Sequence, residues 1–122
     1  MRLYMTELSV SDWPRCVAWY RDVLGLDILL LDEDRRFALL GGEGGRLALK
    51  EGTPSSDVRL SFEVTDLEAS RNRMERTGSA PTAIVEDDVE LFRWFRLVDP
   101  QGVHIQVFAF VHGPHTATNG IT

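Results

Sequence analysis

The sequence predicts an α+β fold made of two tandem βαβββ modules, and three observations carry that prediction. Hydrophobic periodicity runs strand, helix, strand, strand, strand twice along 122 residues. The punctuation repeats with it. Val10-Ser11-Asp12 closes a strand and opens a helix, as Val64-Thr65-Asp66 does roughly 54 residues later, and Gly25 is answered by Gly78 roughly 53 residues on. Between the two stretches, Glu51-Gly52-Thr53-Pro54-Ser55-Ser56-Asp57 is polar and rich in breakers, as a linker should be. The modules fall at about 1–51 and 58–110 of a domain ending at 111, and 112–122 reads as a polar, poorly ordered tail.

Residues 2–10 alternate, with Leu3, Met5 and Glu7 on one face and Tyr4, Thr6, Leu8 and Val10 on the other, which predicts the first strand. Ser11 or Asp12 is the expected cap of a helix with Pro14 in its first turn, where a missing N–H costs nothing. That helix runs to about Leu24. Its last turns put Trp19, Tyr20, Val23 and Leu24 on one apolar face, and Gly25 stands where a left-handed residue ends a helix without steric cost. A strongly apolar strand over 27–32, a turn at 34–35, a strand over 36–40, a glycine turn over 41–45 and a strand over 46–50 complete the module. In the second module 58–64 alternates as a strand, and Asp66 caps a helix over 67–77 that stops at Gly78. A short strand over 82–85 and a longer one over 91–98 follow. Asp99-Pro100-Gln101-Gly102 then sets Pro and Gly at turn positions, and 103–110 is the last strand.

Hydrophobic residues make up 43% of the chain and charged residues 26%, enough apolar content for a sizeable core. The net charge of −6 argues against binding a phosphate backbone. A single cysteine, Cys16, excludes an intrachain disulfide and a thiolate metal cluster, and its place inside the first helix predicts a buried, inert thiol. No basic-then-apolar leader opens the chain and no apolar run approaches membrane-spanning length, so a cytoplasmic protein without membrane or nucleic-acid partners is expected.

The two βαβββ halves, the segment Trp19-Tyr20-Arg21-Asp22-Val23-Leu24-Gly25-Leu26 and the Asp99-Pro100-Gln101-Gly102 turn together resemble the vicinal oxygen chelate superfamily (glyoxalase/bleomycin-resistance/dioxygenase) over about residues 1–110. The resemblance implies paired modules that each curl a mixed sheet around a cavity, completed in a homodimer. It also implies a metal held by His, Glu or Gln from the first, fourth, fifth and eighth strands. The matching positions here are Met5, Ala48, Arg59 and Gln106. Ala48 has no donor atom, Met5 offers a soft thioether, and Arg59 is a permanent cation that repels a divalent ion. Gln106 alone does not hold a catalytic metal. Shifted by two residues, the frame holds Glu7, Lys50, Ser61 or Glu63, and His104, of which Glu7, Glu63 and His104 make a three-ligand alternative beside Lys50.

Keeping the implied concave face, the cavity is lined by Met5, Glu7, Ala48, Lys50, Arg59, Ser61, Glu63, His104 and Gln106. Alternation on the seventh strand adds Phe92, Trp94 and Arg96, with the more apolar Leu91, Phe95 and Leu97 turned under the helices. Acids, bases and rings together suit a small-molecule pocket. Each position also has a structural reading. Arg59 can pair with Glu7 or Glu63 in an internal ion pair, and His104 can be a satisfied sheet histidine. Trp94 can be a platform or an interface residue, and Trp13 and Trp19 belong to core or dimer packing. The glycines at 41–45 precede a strand, which argues against a phosphate-cradling loop. The function expected is a metal-independent small-molecule binding protein resembling the bleomycin-resistance branch, without cofactor. The alternative is a lyase, isomerase or dioxygenase of the same superfamily with a divalent metal at the offset set, and a third reading is a partner-binding domain with a vestigial cavity.

Overall fold

Strand pairing in this protein follows the sequence repeat. The computed structural model describes residues 1–87 and 92–111. The expected tail from His112 onward, and Leu91 at the start of the expected seventh strand, lie outside the described residues. The elements are β1 (Thr6–Val10), α1 (Trp13–Asp22), β2 (Asp27–Asp32), β3 (Phe37–Gly41), β4 (Arg46–Glu51), β5 (Arg59–Glu63), α2 (Leu67–Arg76), β6 (Val85–Asp87), β7 (Phe92–Val98) and β8 (His104–Phe110). They form two four-stranded sheets of the same pattern, β1-β4-β3-β2 and β5-β8-β7-β6. Contacts group Met1–Val58 with Val98–Val103 in a first unit, and the described residues of 59–97 and 104–111 in a second. The turn at 98–103, placed in the second module by sequence, thus packs with the first unit.

In the first unit β1 runs parallel to β4 (Thr6↔Leu47 to Val10↔Glu51), and β3 lies antiparallel between β4 and β2. One side of this sheet carries Leu8, Leu49 and Ala38, all buried, with α1 packed against β4 through Trp13, Cys16, Val17 and Tyr20. The Trp13 indole Nε1–H donates to the Leu49 carbonyl at 2.9 Å, so the largest core ring is also tied to the sheet. Cys16 is fully buried, and that burial pushes its thiol pKa up to about 11, which makes it an inert packing residue.

Two expected boundaries are corrected. β1 begins at Thr6 rather than at Arg2, because its partner β4 begins at Arg46 and the Thr6↔Leu47 pair is the first that the ladder supports. The expected strand over 82–85 is instead Val85–Asp87, because Thr82 is used differently. Its backbone N–H donates to the Arg96 carbonyl and its hydroxyl accepts from the Arg96 N–H. Arg71 on α2 donates to the Pro81 and Thr82 carbonyls, pinning this segment to the helix.

The second unit repeats the plan. β5 runs parallel to β8 (Arg59↔His104 to Glu63↔Phe108), and β6 is antiparallel to β7 (Val85↔Trp94). Ile105, Val107 and Ala109 of β8 and Phe95 and Leu97 of β7 are buried, and α2 packs on β8 with Leu67 and Met74 inside. α1 ends at Asp22, short of the expected Leu24, and α2 at Arg76; the expected glycines follow them, Gly25 at φ +78° and Gly78 at φ +89°, conformations that a side chain would oppose.

Candidate functional site

With the helices fixed to one side of each sheet, the alternating residues of the other side are the candidates for function. On the first sheet, register sets two rows side by side: Glu7–Ala48–Leu39–Leu30, and next to it Ser9–Lys50–Phe37–Asp32. Over these rows lies an open groove of about 430 Å³ lined by Glu7, Leu30, Asp32, Arg35, Phe37 and Lys50. The Lys50 ammonium donates to the Arg35 carbonyl at 3.3 Å, and Asp32 Oδ1 accepts from the Arg35 backbone N–H at 3.1 Å, so both bonds run to the turn that joins β2 to β3. Of the expected residues on this sheet, Glu7 and Lys50 meet in the groove. Met5 lies before β1 and outside the groove lining, and the register sets Glu7 rather than Met5 beside Ala48.

On the second sheet, Arg59 sits beside His104 and Ser61 beside Gln106, with Glu63 beside Phe108. Arg59, Ser61, Glu63 and His104 are exposed, while Gln106, Phe108 and Phe110 are half-buried. Phe92 meets Phe108 edge-to-face at 5.9 Å between ring centroids, and Phe108 meets Phe110 likewise at 5.5 Å. The Arg96 guanidinium lies over the Trp94 ring at 4.6 Å, and its Nε–H is buried without a hydrogen-bond partner among the described residues. Phe92, Trp94 and Arg96 are half-buried, whereas Phe95 and Leu97 are buried, as alternation predicts.

Within the second sheet Arg59 does not pair with Glu63, one of the partners its structural reading allowed, and no ion pair of Arg59 is found among the described residues. Glu63 is four positions from Arg59 along β5, about 13 Å at strand rise, beyond the reach of a salt bridge. The same spacing separates Glu63 from His104, which stands beside Arg59, so the offset metal set is not assembled on this sheet. Among the described residues no group of three or more His, Cys, Asp or Glu is placed to hold a metal ion. Of the positions that the resemblance makes ligands, Ala48 on the first sheet has no donor atom and Arg59 on the second is a permanent cation, so neither side chain can hold a divalent metal.

Several lining residues escaped the sequence reading. Phe108 and Phe110 extend the His104–Gln106 alternation, and carrying that period to the end of β8 would have found them. Leu30, Asp32, Arg35 and Phe37 join the groove only through the β2–β3 register, which no single-strand pattern reveals.

The two motifs that carry the resemblance meet inside the first unit, on the helix side of its sheet. Tyr20 Oη donates to Asp99 Oδ2 at 2.7 Å, and Asp99 Oδ1 accepts from the Gln101 and Val103 backbone N–H groups at 2.8 and 2.9 Å. Asp99 is 4% exposed, so a buried carboxylate is satisfied by three donors. Burial first, and the bond to Asp99 second, raise the Tyr20 pKa far above the usual phenol value. Two residues after Asp99, Gln101 Oε1 accepts from the Ser11 and Asp12 backbone N–H groups and from the Ser11 hydroxyl. This corrects the expected cap: Asp12 holds the N-cap position of α1 without a side-chain bond, and Gln101 satisfies the chain entering that helix. The segment therefore locks α1 to the turn before β8.

Comparison with known proteins follows the same lines. The model of the glyoxalase-like domain family matches residues 5–108. An integron cassette protein from the mobile metagenome of the Halifax Harbour sewage outfall is similar at TM-score 0.79 and 23% identity, over 89% of this chain and 98% of that one. An antibiotic-binding protein from a Streptomyces species matches at TM-score 0.73 and 20% identity, over 88% and 93%. A lactoylglutathione lyase from Agrobacterium tumefaciens matches at TM-score 0.71 and 17% identity, over 88% and 92%. A search of curated proteins finds no match. At these identities the structural likenesses establish the fold, and no helix among the described residues is long and apolar enough to cross a membrane.

Proposed function

The chain belongs to the glyoxalase-like domain family of the vicinal oxygen chelate superfamily, and from that premise we propose that it is a metal-independent small-molecule binding protein resembling the bleomycin-resistance branch. The observation that carries this reading is the open face of the second sheet. There Trp94 with Arg96 stacked on it, the edge-to-face set Phe92, Phe108 and Phe110, and the polar row Arg59, Ser61, His104 and Gln106 share one side. Rings supply apolar area at low entropic cost, and the flanking cations and amides orient a polar substituent. The fold neighbour that binds an antibiotic supports the reading. Trp fluorescence during titration with bleomycin, 1-naphthoate and acriflavine tests it. At least one of these should quench or shift the emission, and Trp94→Ala should remove the response. An unchanged spectrum across all three would sink the binding reading.

The lyase neighbour supports the enzymatic alternative, a metal-dependent lyase, isomerase or dioxygenase, but the donor geometry does not favour it. Elemental analysis after incubation with Mn²⁺, Ni²⁺, Zn²⁺ or Fe²⁺ separates the two. Stoichiometric metal that is lost in Glu7→Ala and His104→Ala would replace the present proposal with the enzyme. We further propose a cytoplasmic homodimer, with the exposed Leu29 and Leu31 of the edge strand β2 as contact residues. Light scattering on a sizing column should give twice the chain mass, and Leu31→Glu should return it to one chain.

A further inference from the structure

The groove on the first sheet has a charge arrangement that the second-sheet reading does not use. Four charged side chains surround it, Glu7, Asp32, Arg35 and Lys50, with Phe37 and Leu30 between them. Among the described residues none of the four is in an ion pair, although opposite charges on neighbouring strands of a small sheet usually have partners in reach. Lys50 and Asp32 lie in one row across the sheet, and both bond to the backbone of Arg35. Lys50 spends one of its donors on the Arg35 carbonyl and keeps two, and Arg35, which is exposed, lines the same groove. Asp32 turns one oxygen to the turn backbone, whereas Glu7 on the opposite edge strand is exposed, with its carboxylate free of hydrogen bonds among the described residues. Register puts the Glu7 Cα diagonal to that of Lys50, about 8 Å away at ordinary strand spacing and rise, with the small, buried Ala48 beside Glu7.

We propose that this groove binds a small zwitterionic organic molecule. Its anionic end lies at Lys50 and Arg35, its ammonium at Glu7, and its apolar middle against Phe37 and Leu30. The site rests on the first sheet alone and stands whether or not the second-sheet face binds a ligand. An ammonium and a carboxylate on one body satisfy both ends at once, whereas a singly charged guest leaves one protein charge facing a methyl group.

Amide chemical shifts of Glu7, Leu30, Phe37 and Lys50, followed by NMR during titration, provide the test, with 6-aminohexanoate, hexanoate and hexylamine as probes. The zwitterion should bind at least about tenfold more tightly than either singly charged analogue, equivalent to about 1.4 kcal/mol. Glu7→Gln should reduce 6-aminohexanoate to the level of hexanoate, and Lys50→Gln should reduce it to the level of hexylamine. Glu7→Lys should exchange the preference for 6-aminohexanoate for one for the diacid adipate, a gain of binding that a misfolded variant cannot produce. Trp94→Ala should leave all of these values unchanged, which separates failure here from failure of the second-sheet reading. Equal binding of the three probes, no shifts at all, or an unaltered preference in the Glu7 and Lys50 variants would overturn the proposal.

Discussion

The two helices occupy the same place in their modules and are anchored by different means. α2 is capped locally: Asp66 accepts from the Ala69 N–H at 3.0 Å, three residues away, and buries only Leu67 and Met74. α1 has no side-chain cap of its own and buries Trp13, Cys16, Val17 and Tyr20. Its entry is satisfied by Gln101, 90 residues from Ser11 in sequence, and its middle by the Tyr20–Asp99 bond. A helix with a polar sequence needs a local cap to be worth forming, whereas a strongly apolar helix is held by tertiary burial and can take its polar partners from anywhere in the fold. One module thus relies on local chemistry and the other on a long-range lock, and the lock should be the weaker point under mutation.

The largest effect is expected at Asp99. Asp99→Ala strands the Tyr20 hydroxyl and the Gln101 and Val103 N–H groups in a buried place, and each orphaned donor costs more than its bond contributed. A loss of about 3 kcal/mol or more in urea unfolding is expected, with Tyr20→Phe costing about 1–2 kcal/mol because it removes one bond to a charged acceptor. If Asp99→Ala proves no worse than Asp66→Ala, the contrast between lock and local cap fails.

Alkaline pH probes the same helix. The Cys16 thiol titrates near 9.0 when unfolded and at about 11 in the fold, because burial disfavours the thiolate. Above pH 9 the unfolded chain therefore releases a proton that the native chain keeps. Stability should be flat below that pH and fall as pH rises from 9 through 11, by about 2–3 kcal/mol from this group. Tyr20 acts in the same direction from about its ordinary value upward, since its folded pKa is also raised. Urea midpoints measured at successive pH values should lose their early slope in Cys16→Ala and their later slope in Tyr20→Phe. No corresponding slope should come from α2, whose buried residues, Leu67 and Met74, do not titrate.

The same division decides what could be read from sequence. The α2 cap, its glycine stop and the β5 and β8 faces were legible because their signals lie within a few residues: Asp66 to Ala69, Gly78, and a period of two. The α1 cap was not, because no local pattern announces an acceptor on Gln101. β6 begins later than the pattern predicts because Thr82 bonds to Arg96, 14 residues away, partly through its hydroxyl, which no local pattern reveals. On the candidate site, Glu7 and Lys50 follow from the concave face that the resemblance implies, yet their companions Asp32, Arg35 and Phe37 depend on how β2 and β3 register across a turn. The Arg59–Glu63 pairing failed for a related reason: two residues on one face share a side but not a distance.

The finest test of the contrast concerns the caps themselves. Asp66→Ala should cost about 1 kcal/mol, the ordinary loss when a local N-cap acceptor is removed. Gln101→Ala should cost a similar amount, even though Gln101 is in no helix, because the Ser11 and Asp12 N–H groups lose their acceptor. Asp12→Ala, at the N-cap position itself, should cost less than about 0.5 kcal/mol, since its side chain makes no capping bond. A double-mutant cycle sharpens the point. Gln101→Ala and Ser11→Ala share one hydrogen bond and should be non-additive, whereas Gln101→Ala and Asp66→Ala act on separate helices and should add. If Asp12→Ala matched Asp66→Ala in cost, α1 would be capped locally after all, and the 99–103 turn would be a connection rather than a lock.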